Sequence, residues 1–244
     1  MTGPMTDRRT EIAHNLATVR DRIAAACADA GRDSDEITLT VVTKYFPASD
    51  VRHLLDLGVR DLGENRHQEA EAKAAETRDL DLRWHFIGNL QSNKAAAVAA
   101  YADVVESVDR PKLLKGLAKG AHERDVRIDC LVQVNLDPDP GSHTGSAATG
   151  RGGARPADVV SLAERIAASD GLRLRGVMAV APLDQDPAPA FATLAELAGQ
   201  VRLVDARATW ISAGMSADLE VAITAGATHV RIGSAVLGQR PTIK

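Results

Sequence analysis

Two rhythms of apolar residues alternate along the chain. From Asp7 to Ala30, Ile12, Leu16, Val19 and Ile23 recur at three- and four-residue spacings, which predicts an amphipathic helix closed by Gly31. The run Ile37-Thr-Leu-Thr-Val-Val-Thr43 is β-branched and partly alternating, and predicts a strand. Pro47 and Asp50 open a second helix, which Gly58 stops. Further strand-like runs lie at Val59 to Gly63, Leu82 to Ile87, Val104 to Val108, Ile128 to Leu136, Leu172 to Ala181, Ala208 to Ser212 and His229 to Ile232. Between them are segments with helical spacing: Asn65–Glu76, Gln91–Ala100, Pro111–Glu123, Pro156–Ala168, Pro189–Leu203 and Ala217–Ala225.

Eight predicted strands, nearly all followed by a helix, imply an α/β protein whose parallel sheet is covered on its faces. Eight such units in about 250 residues is the size of a closed (β/α)8 TIM-type barrel, here with an extra N-terminal helix. The competitor is an open doubly wound sheet, which carries a glycine fingerprint after its first strand. Lys44-Tyr-Phe-Pro47 stands in that place, so the barrel is favoured, with residues 1–244 as one domain. Asp137 to Gly153 breaks the rhythm. It is rich in Asp, Pro, Gly, Ser and Thr, and predicts a flexible loop after the fifth strand.

Composition narrows the function classes. The 244 residues are 45% apolar and 25% charged, with a net charge of −4, as in an ordinary globular protein. No basic block is present, which argues against nucleic-acid binding. No apolar run approaches the roughly 20 residues that span a bilayer, and Met1 to Arg9 lacks the apolar stretch of a signal peptide. Cys27 and Cys130 stand alone, in no metal-ligand or redox spacing. A cytoplasmic protein without a metal site is the expectation.

In a parallel barrel the chemistry gathers at the C-terminal ends of the strands. Of the seven lysines, only Lys44 directly continues an apolar strand. A partly desolvated amine there would favour its neutral, nucleophilic form. After the seventh strand, Ser212-Ala-Gly-Met-Ser216 turns into a helix, and Gly233-Ser234 repeats the arrangement after the eighth. Such turns offer backbone N–H groups and hydroxyls to a phosphate, and strands seven and eight are the usual place for one. Closing the barrel pairs strand eight with strand one, which brings Lys44 beside this cup. A phosphorylated aldehyde held as a Schiff base suits the pair: pyridoxal 5′-phosphate, or the sugar phosphate of an aldolase. Arg231, directed into the mouth, would favour the first by facing the pyridine nitrogen. Five of the seven aromatic residues (Tyr45, Phe46, Trp84, Phe86 and Trp210) fall near strand ends, which suggests one walled pocket.

These residues resemble a known family. Val42-Thr-Lys-Tyr45, Gly63-Glu-Asn65, Trp84-His-Phe-Ile-Gly-Asn-Leu-Gln-Ser-Asn-Lys94, Gly176-Val-Met178, Ser212-Ala-Gly-Met-Ser216 and Val230-Arg-Ile-Gly-Ser234 are similar, in order, to the pyridoxal phosphate homeostasis protein family. The resemblance implies the fold-type III barrel of the alanine racemase N-terminal domain, without its C-terminal β domain. It implies Lys44 as the Schiff-base lysine, and Ser212, Met215, Ser216, Gly233 and Ser234 as phosphate contacts. Arg231 would be the pyridine-nitrogen partner, and Asn65 would line the pocket. His85 and Gln91 belong to the matching block without an assigned role, a structural histidine being the expectation. The Asp137 to Gly153 stretch departs from the family, with Arg151-Gly152-Gly153 as the remnant of a Lys/Arg-Gly motif.

The implied function is a non-catalytic protein that holds pyridoxal 5′-phosphate and takes part in its intracellular homeostasis, with cofactor-dependent apo-enzymes as partners and a monomeric state. The alternatives are a cofactor-dependent amino-acid racemase and a cofactor-free Schiff-base aldolase. A racemase needs acid–base groups on both faces of its carbanion. The only tyrosines are Tyr45, beside Lys44, and Tyr101, and a chain ending at Lys244 is expected to lack the second domain that supplies one in alanine racemases.

Overall fold

The computed structural model describes residues 7–137 and 152–239. Eight parallel strands close in sequence order: β1 (Thr38–Val42), β2 (Asp61–Glu64), β3 (Arg83–Phe86), β4 (Val104–Val108), β5 (Ile128–Gln133), β6 (Leu172–Met178), β7 (Trp210–Ser212) and β8 (His229–Ile232). The expected barrel is therefore present, and each strand falls within or beside its predicted run. The closure that matters most is β1 against β8, with Thr40 opposite Arg231 and Val41 opposite Ile232.

Around the strands run α1 (Arg8–Asp29), α2 (Ala48–Asp56), α3 (His67–Glu76), α4 (Ala95–Ala99), α5 (Leu114–Glu123), α6 (Val159–Ala167), α7 (Pro187–Val204), α8 (Leu219–Thr224) and α9 (Ser234–Leu237). Several predicted helices begin with a turn of 3-10 helix, at Ser92–Lys94, Pro111–Leu113 and Pro156–Asp158. Helix α8 starts two residues later than the sequence suggested. The four-residue α9 is new.

The N-terminal helix has a definite job. Helix α9 is too short to cover the last strand, and α1 takes its place in the outer ring. Ile12, Leu16, Val19, Ile23, Ala26 and Cys27 on one face of α1 pack with Val41, Val230 and Ile232 of the strands and with Val236 and Leu237 of α9. Arg8 fixes the entry. It donates to Asp50 on α2 at 2.6 Å and to the Leu237 carbonyl at 2.9 Å. The β1–β8 seam is thus sealed by chain from both termini.

A long apolar layer lies between the strands and the helices, running from Phe86 and Leu90 through Leu113, Leu117, Ile128, Ile166 and Leu174 to Phe191 and Ala227. The barrel's inside differs: its apolar cluster contains only Val104, Leu131 and Met178, with Trp210 partly buried against them. Among the described residues no helix is long and apolar enough to cross a membrane. Of the predicted loop, 138–151 lies outside the described residues. Its flanks return to β5, where Ala154 bridges Val134 and the Gln133 side chain donates to the Gly152 carbonyl at 2.6 Å.

Candidate functional site

Lys44 is the second residue beyond β1. It lies in a tight turn, in which Phe46 N–H donates to the Thr43 carbonyl at 3.0 Å, and it is half-buried. Tyr45 takes φ 71°, a left-handed value that a non-glycine residue adopts only when its surroundings hold it there. Residues 43–45 therefore form a fixed platform for the lysine.

The β7 and β8 loops converge beside this platform. The Arg231 N–H donates to the Gly214 carbonyl at 2.9 Å, tying the β7 loop to β8. Gly233 follows β8, and a Cβ there would lie 3.3 Å from the Val42 carbonyl, so the lack of a side chain lets this loop pass close to β1. The first bonds of α9 run from Val236 and Leu237 N–H to the Gly233 carbonyl, which leaves the earlier N–H groups ahead of the ladder. Ser234 is exposed and Ser216 half-buried at these loops, and Met215 is 37% exposed, with its N–H donating to Asp218 at 2.6 Å. On the other side, Asn65 follows β2. Its amide oxygen is buried without a hydrogen-bond partner, a polar atom that a bound group could satisfy. Gly88 explains part of the motif around it, because a Cβ at that position would come within 2.2 Å of the Asn65 carbonyl. The β3 loop can close on Asn65 only with glycine there.

Ser212 and Arg231 belong to a chain of charges inside the barrel that the sequence did not disclose. Arg231, 4% exposed, donates to the Ser212 hydroxyl at 2.5 Å and to the Ala179 carbonyl at 2.8 Å. Ser212 donates in turn to Glu106 at 2.5 Å, and Glu106 lies 3.7 Å from the guanidinium. His85 bridges Glu106, at 2.8 Å, and Asp61, at 2.9 Å. Burial opposes a charge on His85, but its hydrogen bonds to Asp61 and Glu106 and their charges outweigh it and raise its pKa. Burial likewise opposes ionised Glu106, yet the bond and charge of His85, with Arg231 and Ser212, bring it down to about 2. The imidazolium is thus the structural histidine the sequence suggested, with a charged role. The Ser212 hydroxyl, expected at the phosphate, is committed to Glu106 and Arg231.

One other expectation changes. The aromatic residues do not form one wall: Phe46 and Trp84 pack with the α1 cluster, Phe86 lies in the outer apolar layer, and Trp210 meets the tilted His229 ring at 4.3 Å at the start of β7. Their strand-end positions reflect packing on both sides of the strands. Lys44 is also not the only lysine drawn inward. Lys73, on α3, is 6% exposed and hydrogen-bonds the Thr43 carbonyl at 2.8 Å, with its ammonium on Glu64. Gln91 is exposed. Among the described residues no cluster of ligating side chains could hold a metal ion.

The arrangement is that of a parallel barrel carrying a lysine after its first strand, beside glycine- and serine-bearing turns after its seventh and eighth. A sequence model of the alanine racemase N-terminal domain matches residues 9–241, which defines the barrel class. The Mycobacterium bovis pyridoxal phosphate homeostasis protein is 42% identical, over 96% of this chain and 95% of its own length. The Escherichia coli protein of that name is 37% identical, over 94% and 97%. Among solved structures, PipY of Synechococcus elongatus with pyridoxal phosphate bound superposes with a TM-score of 0.78 at 33% identity, covering 93% of this chain and all of that one. The chain belongs to the pyridoxal phosphate homeostasis protein family.

Proposed function

We propose that this protein binds pyridoxal 5′-phosphate covalently through Lys44 and takes part in its cellular homeostasis as a non-catalytic holder of the cofactor. The observation that carries this reading is the β1–β8 seam, which sets the Lys44 turn next to the Gly233 loop and puts Arg231 on the adjoining strand. The names of its relatives, and the cofactor bound in PipY, support the same reading.

The residues fit the group. Ser216, Gly233 and Ser234 belong to the turns that would take the phosphate, through backbone N–H groups and two hydroxyls, while the Met215 N–H is held by Asp218. The orphaned Asn65 oxygen lies on the β2 side. Arg231, held by Ser212, Glu106 and the Ala179 carbonyl, would face the ring nitrogen with a cation that cannot donate its proton. When bound, the cofactor supplies an aldehyde carbon to which an amine adds with loss of water. Lys44 is the amine, and its platform keeps it at the mouth.

Among the described residues, both tyrosines are engaged in other contacts. Tyr101 packs on the barrel's flank, stacked 5.9 Å from His67, and burial raises its pKa well above the usual phenol range. Tyr45 turns its ring under Arg66, at 5.3 Å. The holder reading extends to cytoplasmic delivery of the cofactor to apo-enzymes by a monomer.

The test is to mix the purified protein with pyridoxal 5′-phosphate and record visible absorption, alongside Lys44→Ala and single enantiomers of alanine. The expected result is a visible band in the wild type, none in Lys44→Ala, and no racemisation. Turnover that disappears in Lys44→Ala would replace the holder with a racemase.

A further inference from the structure

Helix α3 does more than cover the barrel. Three side chains from it and its leading residue reach the turn that carries Lys44, each from a different position. Lys73 donates to the Thr43 carbonyl at 2.8 Å, on the N-terminal side of Lys44. Glu69, one turn earlier on the same face, accepts from the Tyr45 N–H, which belongs to the Lys44–Tyr45 peptide bond. Arg66 covers the Tyr45 ring at 5.3 Å. The two clasping residues are joined to each other, Lys73 to Glu69 at 3.3 Å. Lys73 is anchored on β2, because the buried Glu64 carboxylate binds it, and the same carboxylate accepts from the Thr43 hydroxyl at 2.7 Å.

This set of contacts exceeds what covering a strand requires. A lysine and two glutamates are placed at a junction where leucine would pack, and two of them are all but buried: Lys73 is 6% exposed and Glu64 1%. Their contacts converge on the backbone before and after one residue. What the backbone needs there is plain from its geometry. Tyr45 at φ 71° occupies a conformation that an L-residue leaves unless it is held. An acceptor on its N–H fixes the orientation of the Lys44–Tyr45 peptide, and a donor on the Thr43 carbonyl fixes the peptide before it. Between two fixed peptides the Lys44 Cα–Cβ direction has no freedom.

We propose that Glu69 and Lys73 are positioning residues for Lys44, forming a clasp that aims its amine at the aldehyde position above the β8 loop. The inference rests on the cofactor reading given above. The clasp touches no part of the phosphate turns, so it governs how fast the amine engages an aldehyde and leaves the hold on a phosphorylated ring unchanged.

Three measurements on the full chain test it, using Glu69→Ala, Glu69→Gln and Lys73→Met. Rapid mixing with pyridoxal 5′-phosphate reads the rate at which the visible band appears. Calorimetry with pyridoxine 5′-phosphate, which has an alcohol in place of the aldehyde, reads the non-covalent hold. Hydrogen exchange of the Tyr45 amide in cofactor-free protein reads the clasp itself. Glu69→Ala and Lys73→Met are expected to slow the band at least tenfold with pyridoxine phosphate affinity within threefold of wild type. In Glu69→Ala the Tyr45 amide should exchange at least tenfold faster, and Glu69→Gln, which keeps an acceptor oxygen, should restore both readouts to within threefold. Glu69→Ala alone decides the matter if Lys73→Met fails to fold. A wild-type rate in Glu69→Ala, or parallel losses of rate and pyridoxine phosphate affinity, would overturn the clasp and leave the cofactor reading intact. No visible band in the wild type would overturn both.

Discussion

The inside of this barrel and the layer outside it are built on opposite principles. Outside, strands and helices meet through a continuous apolar packing from Phe86 to Ala227, with side chains such as Leu117, Ile128 and Phe191 at 2% exposure or less. Inside, where parallel barrels ordinarily stack branched aliphatic residues, three apolar residues and Trp210 share the space with Asp61, His85, Glu106, Ser212, His229 and Arg231. Burying such charges brings little net stability, because desolvation offsets their attraction. The difference teaches that the outer layer holds the barrel closed, while the inner chain holds one guanidinium, that of Arg231, in one place.

Removing Glu106 should break that comparison most sharply. Glu106→Leu leaves the His85 imidazolium with Asp61 alone and takes from Arg231 its ion-pair partner, a loss of about 3–5 kcal/mol. Urea unfolding should show this drop together with a shifted cofactor absorption band. Loss of stability with an unchanged band would separate Glu106 from the site. In the outer layer, Leu117→Ala should cost about 2–5 kcal/mol through the cavity it opens, lowering the thermal midpoint while cofactor affinity stays at the wild-type value.

Acid gives a finer comparison, since the apolar outer layer has nothing to protonate and the inner chain does. Glu106 sits at about 2 against an ordinary 4.5, so its contribution is complete above pH 4.5 and disappears as pH falls towards 2. Burial holds His229 at about 4, so its neutral form contributes fully above its ordinary 6.5 and less as pH falls to 4. His85 has the opposite sign: with a raised pKa it contributes fully below 6.5, and this is lost as pH rises through its folded value. Unfolding free energy measured from pH 7 to pH 2 should therefore fall, and Glu106→Leu should flatten the part below pH 4.5. The smallest effects belong to the phosphate turns. Ser216→Ala and Ser234→Ala should each weaken cofactor binding about fivefold, in line with the loss of one hydrogen bond of about 1 kcal/mol, without moving the thermal midpoint.

The residues legible in the sequence were those whose position depends on strand order alone. Lys44 continues β1 and Gly233 follows β8, and closing the barrel makes them neighbours whatever the side chains do. The charged chain and the clasp were hidden for a different reason. Glu106 reads as one acidic residue in Val104-Val-Glu-Ser-Val108, and His85 as one residue of a motif. Their meeting depends on which way each strand faces and on the stagger between strands far apart in the chain. Lys73 looks like any helical lysine until α3 is docked on β2. The short α9 showed how local pattern misleads: the N-terminal helix, which reads as an addition, fills the last place in the ring.

The central claim is that one amine, set by the β1–β8 seam, takes the cofactor. Borohydride reduction of the loaded wild-type protein, followed by peptide mass mapping, tests it most directly. The pyridoxyl mass should sit on Lys44, with Lys73 unmodified although its ammonium lies 2.8 Å from the neighbouring Thr43 carbonyl. A stoichiometric label on Lys73, or on any lysine other than Lys44, would contradict the account.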